Sequence, residues 1–305
     1  MLSIKKANTD TFSTASSNKT DHDTSQPHEA ADTSEKKQVP NSVISDFMRL
    51  PESISRIYLL AWMGLKKKNK GSDLGWIWSV IKPLMYIAMF YAAINMGFKS
   101  AKEIDGLVCP YSIWLATGII AWQYLQELLL GGASCFKRNK LLIHSTNLPL
   151  TIYPMIPVLT GLYIHLIMVV ILIFTAVISG VRPSIYWIQL PLFLFLAVLF
   201  SYIWSFFTGL LNTVSTDIIN VIKSIKPAVF WLSGILFNSR TRSSIIFTYN
   251  PITYIVEGYR SSICFRTWFW ENASATRGFC LVMALLVIFT YVLYARIRHR
   301  IAELL

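Results

Sequence analysis

The chain has 305 residues, of which 54% are hydrophobic and only 14% charged, with 10 Trp, 14 Tyr and 18 Phe and a mean hydropathy of +0.48. About a quarter of the residues in a soluble domain are charged. The composition therefore excludes a water-covered globule, and equally collagen, a disulfide scaffold or disorder as a description of the whole. The net charge of +12 arises from basic residues that flank apolar runs, a pattern of loops beside membrane spans rather than of a nucleic-acid surface; no nucleic acid is expected.

Residues 1–42 are dominated by Ser, Thr, Asp and Lys. With so little apolar surface to offset ordering entropy, they predict a disordered tail. No apolar run follows the early lysines, so the tail is not a secretory signal.

Residues 43–71 predict an amphipathic helix. Ile54, Ile57, Tyr58, Ala61, Trp62 and Leu65 fall at i, i+3, i+4, i+7, i+8 and i+11, on one helical face. Lys66, Lys67, Lys68 and Lys70 close it. Such a helix lies along a membrane surface, its lysines drawn to anionic lipid at ~1 kcal/mol each and its Trp and Tyr among headgroups.

Residues 72–300 hold candidate spans, each needing ~20 apolar residues. The first is Leu74–Phe98, interrupted by Lys82-Pro83. The second, Tyr111–Ala133, carries Gln123, Gln126 and Glu127. The third and fourth, near Ile152–Ile178 and Trp187–Leu211, are uncharged, as is the sixth, Gly278–Ala295. The fifth, Ile218–Asn238, contains Lys223, Lys226 and Pro227, with Asp217 as its expected cap. The fold class is thus an all-α polytopic membrane protein of six spans. The basic residues ahead of the first span, and Arg296, Arg298 and Arg300 at the end, place both termini in the cytoplasm.

Little chemistry is on offer. Cys109, Cys135, Cys264 and Cys280 lack CxxC spacing. Cys109 and Cys264 would share the outer side, as a pair or as free buried thiols. His165 stands alone in its span, so helix packing is its plainer role and no metal site is expected. No Walker A motif occurs, and the few acids make no close pair for acid–base catalysis. A loop of CFKRNKLLIHSTNLPLTIYP joins a basic cluster to an apolar triplet and offers a docking helix or a plain connector. Phe247–Trp270 holds eight aromatics behind Asn250-Pro251, a good helix start, with Glu257 and Arg260 spaced to pair. It reads either as an interfacial aromatic belt or as a re-entrant helical segment between spans five and six whose rings meet sugars.

Three motifs together resemble a known family. Lys70-Gly71-Ser72-x-Leu74-Gly75-x-x-Trp78 with Lys82-Pro83-Leu84 resembles the first span of type-2 ABC exporter permeases, and Asn147-x-Pro149 their coupling region. Asn250-Pro251-x-x-Tyr254-x-x-Glu257-Gly258-Tyr259-Arg260, then Trp268-Phe269, is similar to the wall teichoic acid and polysaccharide export branch. Two departures stand out: Thr216-Asp217 where Arg-Asp is often found, and Ser233-Gly234-Ile235 where Ser-Pro-Ile is often found.

The resemblance implies a homodimeric permease in the plasma membrane, paired with a separate ABC ATPase that binds ATP and Mg, the chain itself holding no cofactor. The substrate would be a lipid-linked cell-surface glycopolymer, teichoic acid or another polysaccharide. Lys137, Arg138, Asn139, Leu142, His144 and Pro149 would couple to the ATPase. Tyr58, Trp62, Lys66, Lys67, Lys68 and Lys70 would form the interface helix, and Asn250, Pro251, Tyr254, Glu257, Tyr259, Arg260 and Trp268 the outer gate. Other classes consistent with the composition are a membrane-embedded transferase of cell-wall polymer assembly and an ion-coupled transporter.

Overall fold

The computed structural model describes residues 54–68, 71, 73–97, 104, 106–146, 148–238, 240 and 244–304. The expected tail, residues 1–42, lies outside them, as do Lys70 and Asn147. Every regular element among the described residues is helical. In chain order these are α1 (Ile54–Lys67), α2 (Trp78–Gly97), α3 (Tyr111–Ala133), the short α4 (Cys135–Arg138) and α5 (Lys140–Ser145), α6 (Met155–Ile178) and α7 (Gln189–Val214). There follow α8 (Asp217–Leu232), α9 (Ile245–Tyr249), α10 (Pro251–Arg260), α11 (Ala273–Ile297) and α12 (Ile301–Leu304).

By length and composition, three segments among the described residues can cross a membrane: Leu150–Ile178, Ile185–Val214 and Phe269–Ile297. Each joins a 3₁₀ turn to α6, α7 or α11. Helix α2 is apolar over the shorter stretch Trp78–Ala93. Helix α3 has span length but sits at the centre of the bundle, packed against α6, α7, α8 and α10. Fifteen of its residues are buried, so its polar Gln123, Gln126 and Glu127 fall at the margins of an otherwise enclosed rod.

Small residues let α3 approach α7. A side chain added at Gly132 would come within 2.8 Å of the Ser205 backbone, and one at Gly209 within 3.1 Å of the Phe136 ring. Close backbone approach through glycine replaces hydrophobic drive between helices surrounded by lipid. Asn212 adds a hydrogen bond across the seam, its Nδ2 donating to the Ala133 carbonyl at 2.9 Å.

Of the amphipathic helix expected over 43–71, Ile54–Lys67 is helical, while residues 43–53 lie outside the described residues. Ile57, Ala61 and Leu65 are buried on the bundle, chiefly along α6, while Tyr58 and Trp62 flank them half-exposed. Helix α8 runs through Pro227 and stops at Ser233, where Gly234 takes φ +65°. Asp217 is its first residue, beside the positive end of the helix; the cap position belongs to Thr216. The expected cap is thus one residue out, because Ser215 stays extended and turns the chain at Thr216.

Candidate functional site

The described residues build two functional ends. One is the segment between α8 and α11. Asn250 caps α10, its Oδ1 accepting from the Ile252 N–H at 2.9 Å. Its Nδ2 donates to Ser233 Oγ at 2.9 Å and to the Leu232 carbonyl at 3.3 Å. One amide therefore starts α10 and finishes α8.

Arg260 fastens the same junction from within the core. Its side chain is 0% exposed, yet Nη1 donates to the Gly234 carbonyl at 2.8 Å and to Glu257 Oε1 at 3.0 Å, and Nη2 to the Ile235 carbonyl at 2.5 Å. Its guanidinium lies 3.7 Å from the centroid of the Trp114 ring. Gly118 makes room for it; a Cβ there would collide with the guanidinium. The second oxygen of Glu257 accepts from Arg240 Nε at 3.0 Å. Arg240 reaches on to Ser261 and, at 3.1 Å, to Thr267, with its own guanidinium 4.0 Å over Phe265. Glu257 is thus shared by two arginines, one enclosed and one facing water.

After α10 the chain widens into a π-turn, Ser261–Phe265, which Arg266 ends in the left-handed conformation (φ 53°, ψ 49°). The returning strand of chain is pinned by buried Gln189, which donates to the Thr267 carbonyl at 3.0 Å and accepts from the Phe269 N–H at 2.8 Å. Trp268 then packs between Tyr186, at 5.0 Å, and Trp270, with which it stacks at 4.6 Å and 9°. The segment encloses an open cavity of about 470 Å³, walled by Arg240, Glu257 and Glu271 on one hand and Tyr254, Trp268 and Phe269 on the other. Rings beside carboxylate and guanidinium groups suit a hydroxyl-rich ligand, which presents both C–H faces and hydrogen-bonding edges.

Of the residues expected at this gate, Tyr254, Glu257 and Trp268 line the cavity, while Asn250 and Pro251 set the helix behind it. Tyr259 and Arg260 do not reach it. The Tyr259 hydroxyl meets His165 Nε2 at 2.9 Å, and His165 stacks on Tyr124 at 4.7 Å, all three in the core. Ile252, Ile255, Val256 and Tyr259 fall at i, i+3, i+4 and i+7, so the helical period already carried that inward direction. Cys109 and Cys264 are free and buried beside one another. Arg240 and Glu271 are the additions that sequence reasoning missed.

The other end carries α1, α4 and α5. Lys68 Nζ meets Glu127 Oε1 at 2.6 Å, tying α1 to α3. Asn139 holds the turn between α4 and α5, its Nδ2 donating to the Cys135 carbonyl at 2.7 Å. The Cys135–Ser145 stretch is therefore two short helices, and its apolar triplet divides. Ile143 is buried and Leu142 partly so, against a cluster that includes Phe136, Tyr153, Phe206, Tyr294 and Ile301. Leu141 points outward at 84% exposure. Arg138, Lys140 and His144 are exposed around it, with Lys137 and Pro149 partly covered. Trp62 and Lys66 pair through ring and cation at 5.5 Å, and Lys67 is exposed. Because α12 packs into the same cluster, the basic carboxyl-terminal residues share this end.

The chain is similar to known membrane transport proteins. The model of the ABC-2 type transporter family matches residues 55–264. Two O-antigen export system permease proteins RfbA of Klebsiella pneumoniae are each 27% identical over 248 residues, 79% of this chain and 91% of theirs. The RfbA of Myxococcus xanthus is 17% identical over 206 residues, 65% of this chain and 75% of its own. The family match runs from α1 into the π-turn and covers well over half of the chain, so the chain belongs to the ABC-2 type transporter family, the membrane subunits of ABC transporters.

Proposed function

We propose that this chain is the permease of an ATP-driven exporter that carries a lipid-linked cell-surface polysaccharide across the plasma membrane, working as a homodimer with a separate ABC ATPase. The observation that carries the reading is the open side of α8. Only Ile222 and Phe230 of that helix are buried, and its exposed residues include Asn220, Lys223 and Ser224 beside Val221, Ile225 and Trp231. Hydrocarbon does not accept such a mixture, and ionisable groups in membrane helices face a partner or a water-filled path. A second copy facing α8 supplies both. In this reading α2, α3 and α8 join the three apolar segments as six spans, both termini are cytoplasmic, and α10 with its π-turn is re-entrant.

The ATPase, binding ATP and Mg, docks on Leu141 and the basic residues around it. Nucleotide shifts the spans only through differential binding to their two arrangements, so the rigid seat of α4 in the bundle transmits the force. The relatives named as O-antigen permeases favour an O-antigen-like polysaccharide; a teichoic acid, also hydroxyl-rich, stays within the proposed substrate class.

The test is reconstitution in vesicles with the partner ATPase and a lipid-linked polysaccharide. ATP-dependent appearance of polymer on the far side supports the proposal. Steady turnover by the chain alone, or polymer elongation from sugar donors by the chain alone, refutes it in favour of an ion-coupled transporter or a transferase.

A further inference from the structure

A second cavity, of about 380 Å³, opens at the end that carries α1 and α4, between α1, α3, α4 and the start of α6. Its walls are of two kinds. Leu60, Met63, Leu128 and Ile156 contribute apolar surface to it, and Lys67, Lys68 and Arg138 contribute basic surface. Glu127 neutralises Lys68 through their 2.6 Å ion pair. Lys67 and Arg138 remain, with no side-chain hydrogen bond or ion pair among the described residues. Cys135 also borders the space, but burial pushes its thiol up, so it stays neutral and adds no negative charge.

Two unneutralised cations converging on a cavity select an anion, and the apolar surface selects one that carries a hydrocarbon tail. The position of the cavity names the source. It borders α1, whose exposed Tyr58, Leu59, Trp62 and Met63 form the surface of an interfacial helix. A soluble anion would gain nothing from Leu60, Leu128 and Ile156, and an acidic protein segment would need a surface rather than a recess between helices. We infer that this cavity is a binding site for the phosphate headgroup of a membrane lipid, with Lys67 and Arg138 holding the phosphate and the upper tail lying along Leu60, Met63 and Leu128. Guanidinium and ammonium complement each other here, the one as a fork and the other as a point charge. The bound lipid spans α1 and α4, and so joins the interface helix to the coupling segment. The inference stands on this cavity and does not depend on the export substrate.

Gly131 supplies an independent handle. It borders the cavity, and a Cβ built on it meets no atom within 4 Å. A side chain at 131 therefore starts in open space on the cavity wall, and Gly131→Leu extends it into the lipid's space at a helical position where leucine is the better former. The experiment is native mass spectrometry of the full chain in neutral detergent, titrated with phosphatidylglycerol, an isoprenyl monophosphate, phosphatidylcholine or inorganic phosphate. The expected result is one tightly held phosphatidylglycerol or isoprenyl phosphate per chain, weaker retention of phosphatidylcholine, and no displacement by millimolar inorganic phosphate. Which of the two anionic lipids is held more tightly identifies the source. Lys67→Gln with Arg138→Gln should weaken retention about thirty-fold, from ~1 kcal/mol per basic residue, and Lys67→Arg with Arg138→Lys should restore it. Gly131→Leu should abolish retention with every charge in place. Equal retention of phosphatidylcholine, full displacement by inorganic phosphate, or undiminished binding in Gly131→Leu would overturn the assignment.

Discussion

Replacing Arg260 tests the junction that closes α8 onto α10. Arg260→Met keeps most of the side-chain length and its packing over Trp114, and removes the donors. The Gly234 and Ile235 carbonyls then lose their charged partner. Each buried acceptor left unsatisfied costs ~1–3 kcal/mol, and loss of the desolvated cation over the indole adds ~2 kcal/mol, part of which methionine returns through its own contact. Glu257 is spared the full penalty of an orphaned charge because Arg240 still holds its other oxygen. The net loss is ~3–5 kcal/mol, within the range for breaking a buried ion pair. A chain of this size moves ~2–4 °C per kcal/mol, so thermal unfolding in detergent, followed by tryptophan fluorescence, should fall by roughly 6–20 °C. Glu257→Gln keeps both carbonyl bonds of Arg260 but leaves the enclosed guanidinium without its counter-charge, so it should fall by a comparable amount, as for a buried pair broken from the other side. An Arg260→Met protein within ~2 °C of the parent would refute the assignment of Arg260 as the fastening group.

Gly234→Pro should be among the most damaging single changes at that junction, costing ~3 kcal/mol or more, because proline is held near φ −65° and Gly234 sits at +65°; an unchanged melting temperature would show that the turn can reverse. Leu141→Asp should abolish co-purification of the partner ATPase while leaving the melting temperature within ~1 °C, since an 84% exposed side chain contributes little to the fold; intact complexes would move the docking surface elsewhere. Trp268→Ala should lower export with little effect on assembly, whereas Tyr259→Ala should lower stability by ~2–4 kcal/mol as a core truncation; the reverse pattern would exchange their roles. Glu127→Gln releases Lys68 at a partly exposed pair and should cost no more than ~1 kcal/mol, read as a melting shift of a few degrees at most.

Much of the helix layout was legible because its signals are local. Helix α3 runs Tyr111–Ala133 as read, set off by Pro110 before it and by Ser134 after it. Asn250-Pro251 starts α10 as the capping chemistry predicts, and Glu257 and Arg260, three residues apart, do pair. The parts that were not legible depend on partners far along the chain. Nothing local marks Arg240 as a partner of Glu257; their bond joins residues seventeen apart across a loop. Lys68 and Glu127 are fifty-nine apart. The Leu141-Leu142-Ile143 triplet suited a docking helix or a plain connector without saying which residue faces out, because a run of three apolar residues on a two-turn helix has no resolvable phase.

Gly234, where proline is often found, and the buried arginine belong to one solution. A proline in place of Gly234 would have stiffened the chain after α8; glycine instead permits the left-handed turn at +65° and brings with it a greater entropic cost on ordering. The free carbonyls of such a turn need donors, and in a bundle with few waters a side chain must provide them. Arg260 reaches two at once because its fork is planar and fixed. It can be buried to do so because Glu257 balances its charge, Trp114 lies against its face, and Gly118 leaves the space. Arg240 then holds Glu257 from the water side, where the cavity opens. A ligand that competes for Arg240 would therefore act on the same carboxylate that stabilises the Gly234 turn, which gives the outer cavity a direct physical connection to the end of α8, the helix whose open polar face marks the proposed path.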